Sequence, residues 1–110
     1  RLVGVGRAKD MILLGRKTPA QEAVQIGLAT KCVPQAELMP EAKKMAAKLI
    51  DKGPVALRLA KRVVQASTSS SQDVGMFMEL LAFGVLCGTE DKAEGVGAFL
   101  EKRAPEYHGR

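Results

Sequence analysis

The sequence predicts an all-α fold, and three observations favour it. Apolar residues recur at helical spacing in six segments, and no paired strands or internal repeats are evident. Apolar residues make up 46% of the 110 positions, but there are only three Phe, one Tyr and no Trp. A core of Leu, Val, Ala and Met suits helices packed on helices. The length fits one domain, so we expect residues 1–110 to form a single helical domain.

The first two helices are predicted over 2–14 and 19–26. Gly15 and Gly27 stand where each helix would end, because glycine readily adopts the conformation that closes a helix. Thr18-Pro19-Ala20-Gln21 favours a helix start, in which Thr18 caps the helix, Pro19 takes its first position and Gln21 completes a capping box.

Two further helices are predicted over 36–52 and 54–66, separated by Gly53-Pro54. The first of them has the clearest amphipathic pattern in the chain, with its charged residues on one side. The second has only a narrow polar stripe, which favours burial on most sides.

A fifth helix is predicted over 72–88, where Glu79 is the only charge from residue 74 onward. A helix that is apolar nearly all round must be covered on nearly all sides. Because a chain of this length offers limited cover, we expect the helix to contact another part of a longer chain or another subunit.

A sixth helix is predicted over 90–103. Thr89 is a suitable N-cap, and Glu90 and Asp91 complement the helix dipole in the first turn. Lys102 and Arg103 stand at the opposite end, where positive charge is favourable.

The net charge of +5 favours anionic partners only weakly. No run of Lys and Arg exceeds two residues and the aromatic pattern of RNA-binding domains is missing, so no nucleic-acid partner is expected. The longest apolar run is too short to span a membrane. Cys32 and Cys87 could form one bridge, but two buried free thiols in a reducing compartment are the preferred interpretation. No Cys or His spacing indicates a metal site.

The residues themselves predict no catalytic site. His108 lies near the C-terminal end, where chains usually fray. Gly4-Val5-Gly6 resembles part of a phosphate-binding loop but lacks its third glycine and a preceding strand. No serine has a nucleophile-elbow context, and the acidic residues are scattered. Taken alone, the sequence therefore predicts a mildly basic helical module.

Three stretches together resemble the C-terminal third of the enoyl-CoA hydratase/isomerase (crotonase) family. Residues 1–34 carry an Arg-Leu pair, a glycine-bounded helix, an A-x-x-A-x-x-x-G-L segment and a Val-Pro pair. They stand here as Arg1-Leu2, Gly4 to Gly15, Ala20 to Leu28 and Val33-Pro34. The second stretch is Gly53-Pro54-Val55-Ala56 with Ala60-Lys61. The third, residues 89–110, resembles the closing signature T-E-D-x-x-E-G-x-x-A-F-x-E-K-R-x-P-x-Y-x-G-R.

That resemblance implies a fold and an assembly. Family members have a spiral core of ββα units, followed by a helical region that covers the core and builds trimers. The chain is then expected to be an all-α, multi-helix C-terminal region, an orthogonal helical bundle from which the catalytic β/α core is absent. The expected assembly is a homo-oligomer, either a trimer or a dimer of trimers.

The resemblance also implies an activity for the parent enzyme, which is syn hydration of a 2-trans-enoyl-CoA or a related isomerisation in fatty acid β-oxidation. The acyl-CoA thioester is the substrate, and no cofactor is expected. The family's glutamates and oxyanion-hole N–H groups lie upstream of its Arg-Leu pair. We therefore assign no catalytic residue here, Glu22, Glu79 and Glu94 included, and expect the fragment alone to be inactive. The bacterial cytoplasm or the mitochondrial matrix is the expected location.

Two site residues follow from the resemblance. In the family, the Phe and Lys of the A-F-x-E-K-R helix approach CoA, and they correspond to Phe99 and Lys102. The alternative is that Phe99 belongs to a core and Lys102 only complements the helix dipole. A different function also stays open: a stand-alone helical interaction module that binds an anionic or apolar partner without catalysis.

Overall fold

The computed structural model describes residues 1–110 and contains helices but no strands. The six α-helices are α1 Val5–Leu13, α2 Ala20–Gln25, α3 Leu38–Ile50, α4 Pro54–Ser67, α5 Gln72–Cys87 and α6 Glu90–Glu101, and a 3-10 turn, Gln35–Glu37, precedes α3. The chain divides into two compact units, Arg1–Glu41 and Ala42–Arg110, which are described separately. The single-domain expectation stays a prediction.

In the first unit, glycines set the bounds of α1. Gly4 has a φ of 85° and its carbonyl accepts the N–H of Ala8 at 3.0 Å, so α1 begins at Val5, three residues later than the sequence predicts. Gly15, with a φ of 61°, follows the helix. Only glycine adopts these backbone conformations at little cost, which is why the helix is confined between the two positions.

The start of α2 differs from the expected capping box. Pro19 itself is the N-cap, with φ −60° and ψ 150°, and no side chain caps the helix. The Oγ1 atom of Thr18 is buried without a hydrogen-bond partner. The capping prediction was wrong because Pro19, being extended, moves Thr18 one position outside the helix.

In the second unit, α4 packs against α5, and α5 packs against α6. Side-chain caps start the last two helices. Ser71 Oγ accepts the N–H of Val74 at 3.4 Å, and Thr89 Oγ1 accepts the N–H of Lys92 at 3.2 Å. The predicted Thr89 cap is confirmed; such a cap contributes about 1 kcal/mol.

These helices leave most of their apolar surface open to solvent. Ala98 is the only buried hydrophobic side chain, and Asp91 is the only buried charged one. Most large side chains of α5 are at least half exposed, from Val74 at 50% to Leu80 at 65%, whereas Met78 and Leu86 are partly buried. The accessible surface is 9006 Å², against about 5,900 Å² for a typical folded monomer of this mass. The chain itself therefore does not cover α5.

The absence of a shared core corrects the expected architecture. An orthogonal helical bundle requires helices that bury their apolar faces against one another. Here only α4, α5 and α6 pack in sequence, and a single small side chain, Ala98, is fully enclosed. The orthogonal-bundle prediction was therefore wrong.

Asp91 ties the C-terminal residues to the start of α6. Its two carboxylate oxygens accept the N–H groups of His108 and Gly109 at 2.7 and 2.9 Å. Its own N–H donates to the carbonyl of Arg110 at 3.1 Å. The buried carboxylate is satisfied by these bonds, as a buried charge must be. The end of the chain is thus held, and the expectation that it frays was wrong.

Tyr107 lies beside two glycines in this segment. A Cβ atom at Gly95 would lie 3.0 Å from the Tyr107 hydroxyl, and one at Gly53 would lie 3.8 Å from its ring. Tyr107 therefore lies close to the backbone of α6 and to the residue before α4. The missing side chain of Gly95 allows the closer of the two approaches.

Glu94 provides the second attachment. Its Oε1 and Oε2 atoms accept hydrogen bonds from Arg103 at 2.6 and 2.8 Å, and Oε1 also accepts the N–H of Glu106 at 2.8 Å. The bonds from Arg103, followed by the bond from Glu106, lower the pKa of the Glu94 carboxyl from 4.5 to about 2. Hydrogen bonds to the ionised form have this effect.

We predict that the contact of Glu94 with the segment after α6 persists at pH 4 and is lost only as the pH falls further towards 2. A depressed folded-state pKa stabilises the attachment above the ordinary pKa of 4.5, and the stabilisation is lost as the pH falls through about 2. The carboxyl carbon of Glu94 and the amide of Glu106, followed by NMR, report this directly. A midpoint near 4.5 for Glu94 would contradict the prediction. Glu106→Gln keeps the donating N–H and is the matched control.

Candidate functional site

Lys102 has a backbone conformation that lysine rarely adopts. It ends α6 with φ 56° and ψ 36°, and it is the only residue other than glycine with a positive φ. Its N–H donates to the carbonyl of Phe99 at 3.3 Å. Glycine is the usual residue at this place, and a side chain costs about 1 to 2 kcal/mol there. Such strain is typical of positions where the side chain serves a function.

Phe99 lies one turn earlier on α6 and is open to solvent. It is 82% exposed, and the neighbouring Leu100 is 74% exposed. The alternative that Phe99 belongs to a core of this chain is therefore wrong. Phe99 lines a groove of about 500 Å³ whose other apolar lining side chains include Phe83, Leu86, Val96 and Leu100.

The structure brings the two site residues to one helix end but not into one groove. Phe99 and Lys102 share the backbone hydrogen bond that closes α6. Lys102 is not among the residues that line the groove beside Phe99. The arrangement offers an apolar surface and, separately, a cation at the helix terminus. A ligand with an apolar or aromatic part and a separate anionic part matches both.

Arg103 follows Lys102 and is engaged differently. Besides its two bonds to Glu94, its Nε donates to Glu101 at 2.6 Å. These carboxylates, Glu94 first, raise the pKa of Arg103. The sequence predicts only a helix-dipole role for Arg103 and does not predict its pair with Glu94. The end of α6 could have indicated this pair. A chain that turns back after the helix can bring Arg103 close to Glu94.

The three glutamates that received no catalytic role have structural surroundings. Glu22 accepts two hydrogen bonds from Arg16 at 2.8 and 2.9 Å, which raise the pKa of that arginine. Glu94 pairs with Arg103, and Glu79 lines a groove between α4 and α5. No group of three His, Cys, Asp or Glu residues is arranged to hold a metal ion.

An apolar groove lies between α4 and α5 in the second unit. It has a volume of about 810 Å³. Its lining consists of apolar side chains apart from Glu79, and includes Leu59, Val63, Phe77, Leu80 and Phe83. The fifth predicted helix, α5, contributes Phe77, Leu80 and Phe83 to this lining.

Cys32 and Cys87 are both unpaired thiols. Both are exposed, so the expectation that they are buried was wrong. The apolar residues around Cys87 favour burial, but the thiol is exposed because other parts of the chain do not cover the end of α5. None of the helices is both long and apolar enough to cross a membrane.

Sequence comparisons place these features in a family. The family model described as enoyl-CoA hydratase/isomerase matches residues 1–110. The crotonyl-CoA hydratase of Syntrophomonas wolfei is 41% identical over 107 residues, covering 97% of this chain and 41% of that protein. The short-chain-enoyl-CoA hydratase of Clostridium acetobutylicum is 40% identical over 106 residues, covering 96% and 41%. The chain spans about two fifths of the length of these relatives.

Solved structures agree with the family match and correct the predicted fold class. An enoyl-CoA hydratase from Bacillus anthracis matches 100% of this chain and 43% of its own, with a TM-score of 0.95 and 42% identity. One from Geobacillus kaustophilus matches 99% and 42%, with a TM-score of 0.93. The helices thus match the crotonase fold over the full length of the chain, so the predicted fold class, an all-α region from which the catalytic β/α core is absent, was wrong. Matched along its whole length by the family model, the chain belongs to the enoyl-CoA hydratase/isomerase family.

Proposed function

We propose that residues 1–110 act as the C-terminal part of an enoyl-CoA hydratase or isomerase, where they close the CoA pocket and build the oligomer. Family membership and relatives named as enoyl-CoA hydratases support the reaction class. The observation that carries the CoA role is the strained Lys102 beside the exposed Phe99. A lysine held at a glycine position points to a use for its ammonium group.

The proposed reaction is the syn hydration of a 2-trans-enoyl-CoA, with the CoA thioester as substrate and no cofactor. In this proposal Lys102 contacts a phosphate of CoA, because an ammonium is a compact charge that suits a phosphate. Phe99 supplies an apolar surface to the adenine or the acyl chain. The groups that move protons and hold the thioester enolate lie outside residues 1–110.

The proposed setting is fatty acid β-oxidation in the bacterial cytoplasm or the mitochondrial matrix. Relatives from Bacillus subtilis and Arabidopsis thaliana support both possibilities, since the plant protein is named as mitochondrial. Two free thiols are compatible with either reducing compartment.

Oligomerisation is proposed for the groove between α4 and α5, with further copies of the same chain as the occupant. A trimer or a dimer of trimers is the proposed assembly. The groove is apolar over most of its lining, and some of the large side chains that line it are more than half exposed, Phe77 at 59% and Leu80 at 65%. Interfaces between permanent subunits have this apolar character.

We predict that the 110-residue chain alone does not hydrate crotonyl-CoA, because no catalytic group is assigned within it. Loss of the enoyl absorbance measures turnover, and the Syntrophomonas wolfei relative is the positive control. Turnover by the chain that falls on Glu94→Gln or Glu79→Gln would contradict this proposal. The interaction-module alternative would be favoured if neither residues 1–110 nor the protein at its full natural length hydrates crotonyl-CoA, and the chain still binds an anionic or apolar partner.

We predict opposite effects on folding and binding for Lys102→Gly in the protein at its full natural length. Glycine relieves the positive-φ strain, so the free energy of unfolding should stay the same or rise by about 1 kcal/mol. KM for crotonyl-CoA should rise roughly tenfold because a charge-assisted contact is lost. Chemical denaturation and steady-state kinetics measure the two effects. Lys48→Ala, at another exposed lysine, is the control and should leave KM unchanged.

We predict that Leu80→Glu dissociates the oligomer. A carboxylate in the groove would be desolvated by the neighbouring copy without a partner, which should weaken each interface roughly thirtyfold. Light scattering on dilution measures the mass. Lys48→Glu also introduces a carboxylate, but on α3, and should leave the mass unchanged. An unaltered mass for Leu80→Glu would remove the groove from the interface.

A further inference from the structure

We propose that Glu94 and Arg103 are positioning residues for Lys102: their two-bond pair fixes the direction in which the Lys102 side chain leaves the end of α6. The inference rests on the proposed function, because it concerns how the CoA-contacting lysine is aimed. It adds two residues to which the family resemblance assigned no binding role.

The first observation is that the residue after Lys102 is held in several ways. The N–H of Arg103 donates to the carbonyl of Ala98 at 3.0 Å. Its side chain donates to both oxygens of Glu94, to Glu101 and to the carbonyl of Ala104. Lys102 cannot leave its positive-φ conformation without moving Arg103, so these bonds oppose the relaxation that the strain favours.

The second observation is that the chain stays attached to α6 after Arg103. Glu94 also accepts the N–H of Glu106, and Asp91, one turn earlier on the helix, accepts those of His108 and Gly109. Lys102 therefore stands between a helix and a segment that is bonded back onto that helix. Its backbone is fixed on both sides.

The third observation is that the adjacent cations Lys102 and Arg103 differ in their ion pairs. Arg103 lies 2.6 Å from carboxylate oxygens of both Glu94 and Glu101. No ion pair involves Lys102, although a glutamate precedes it directly. By engaging Glu94 and Glu101, Arg103 leaves the ammonium of Lys102 available to an external anion. A planar guanidinium suits a two-bond contact with a carboxylate, and the point charge of an ammonium suits an external anion.

The test compares two substrates in the protein at its full natural length. Crotonyl-CoA carries the nucleotide phosphates, whereas crotonyl-pantetheine lacks them. Glu94→Gln should raise KM for crotonyl-CoA roughly two- to tenfold with kcat unchanged. KM for crotonyl-pantetheine should not change. Arg103→Lys, which keeps the charge but loses the two-bond geometry, should act in the same way.

A double substitution tests whether the effect passes through Lys102. Adding Glu94→Gln to Lys102→Ala should raise KM for crotonyl-CoA no further than Lys102→Ala alone. Glu22→Gln is the matched control, because it breaks the Arg16–Glu22 pair, whose side-chain exposures of 42% and 29% resemble the 43% and 25% of Arg103 and Glu94. It should leave both substrates unaffected.

The outcomes separate the two proposals. If Lys102→Ala leaves KM for crotonyl-CoA unchanged, the proposed CoA contact itself fails. If Lys102→Ala raises KM but Glu94→Gln and Arg103→Lys do not, the positioning role is overturned. Equal losses with both substrates, or a fall in kcat alone, would show a merely structural role and overturn it as well. Should Glu94→Gln fail to fold by circular dichroism, Arg103→Lys decides.

Discussion

The second unit depends on two carboxylates on one face of α6. Asp91 and Glu94 stand three positions apart, which places them on the same side of a helix. Between them they accept the N–H groups of Glu106, His108 and Gly109. These backbone groups have no helix or sheet of their own to bond with. The segment after α6 therefore takes its path from the helix that precedes it, and the backbone of Lys102 is set by the same contacts.

Polar contacts hold the segment after α6 because apolar burial within the chain is small. The surface exceeds that of a typical monomer of the same mass by about 3,100 Å². One partner in a standard protein interface buries about 800 Å². The excess is therefore several interfaces in size, and much of it comes from large apolar side chains such as those of α5. Hydrophobic burial, the dominant stabilising effect in folding, must come from surfaces outside these residues.

The sequence predicted what depends on neighbours in the chain and missed what depends on neighbours in space. Helical spacing indicated each helix, and Thr89 capped α6 as expected because a cap needs only the next turn. Thr18 does not cap α2 because Pro19 has an extended backbone conformation, which the residue pattern does not predict. The glutamate partner of Arg103 is nine positions away and requires knowledge of the reversal after Lys102. Exposure of Phe99 and the thiols could not be predicted, since apolar patterns do not say which molecule provides the cover.

Geometry rather than stability is the contribution expected of the Glu94–Arg103 pair. Both side chains remain partly in solvent, with 25% and 43% of their surfaces exposed, and water screens such pairs so that they add little to the free energy of unfolding. A guanidinium bonded to both oxygens of a carboxylate nevertheless fixes distance and angle together. The Glu94–Arg103 pair beside the strained Lys102 is weak but directional, so it contributes little to the stability of the fold. It is useful where one charge must point at a phosphate, which is the role proposed for Lys102.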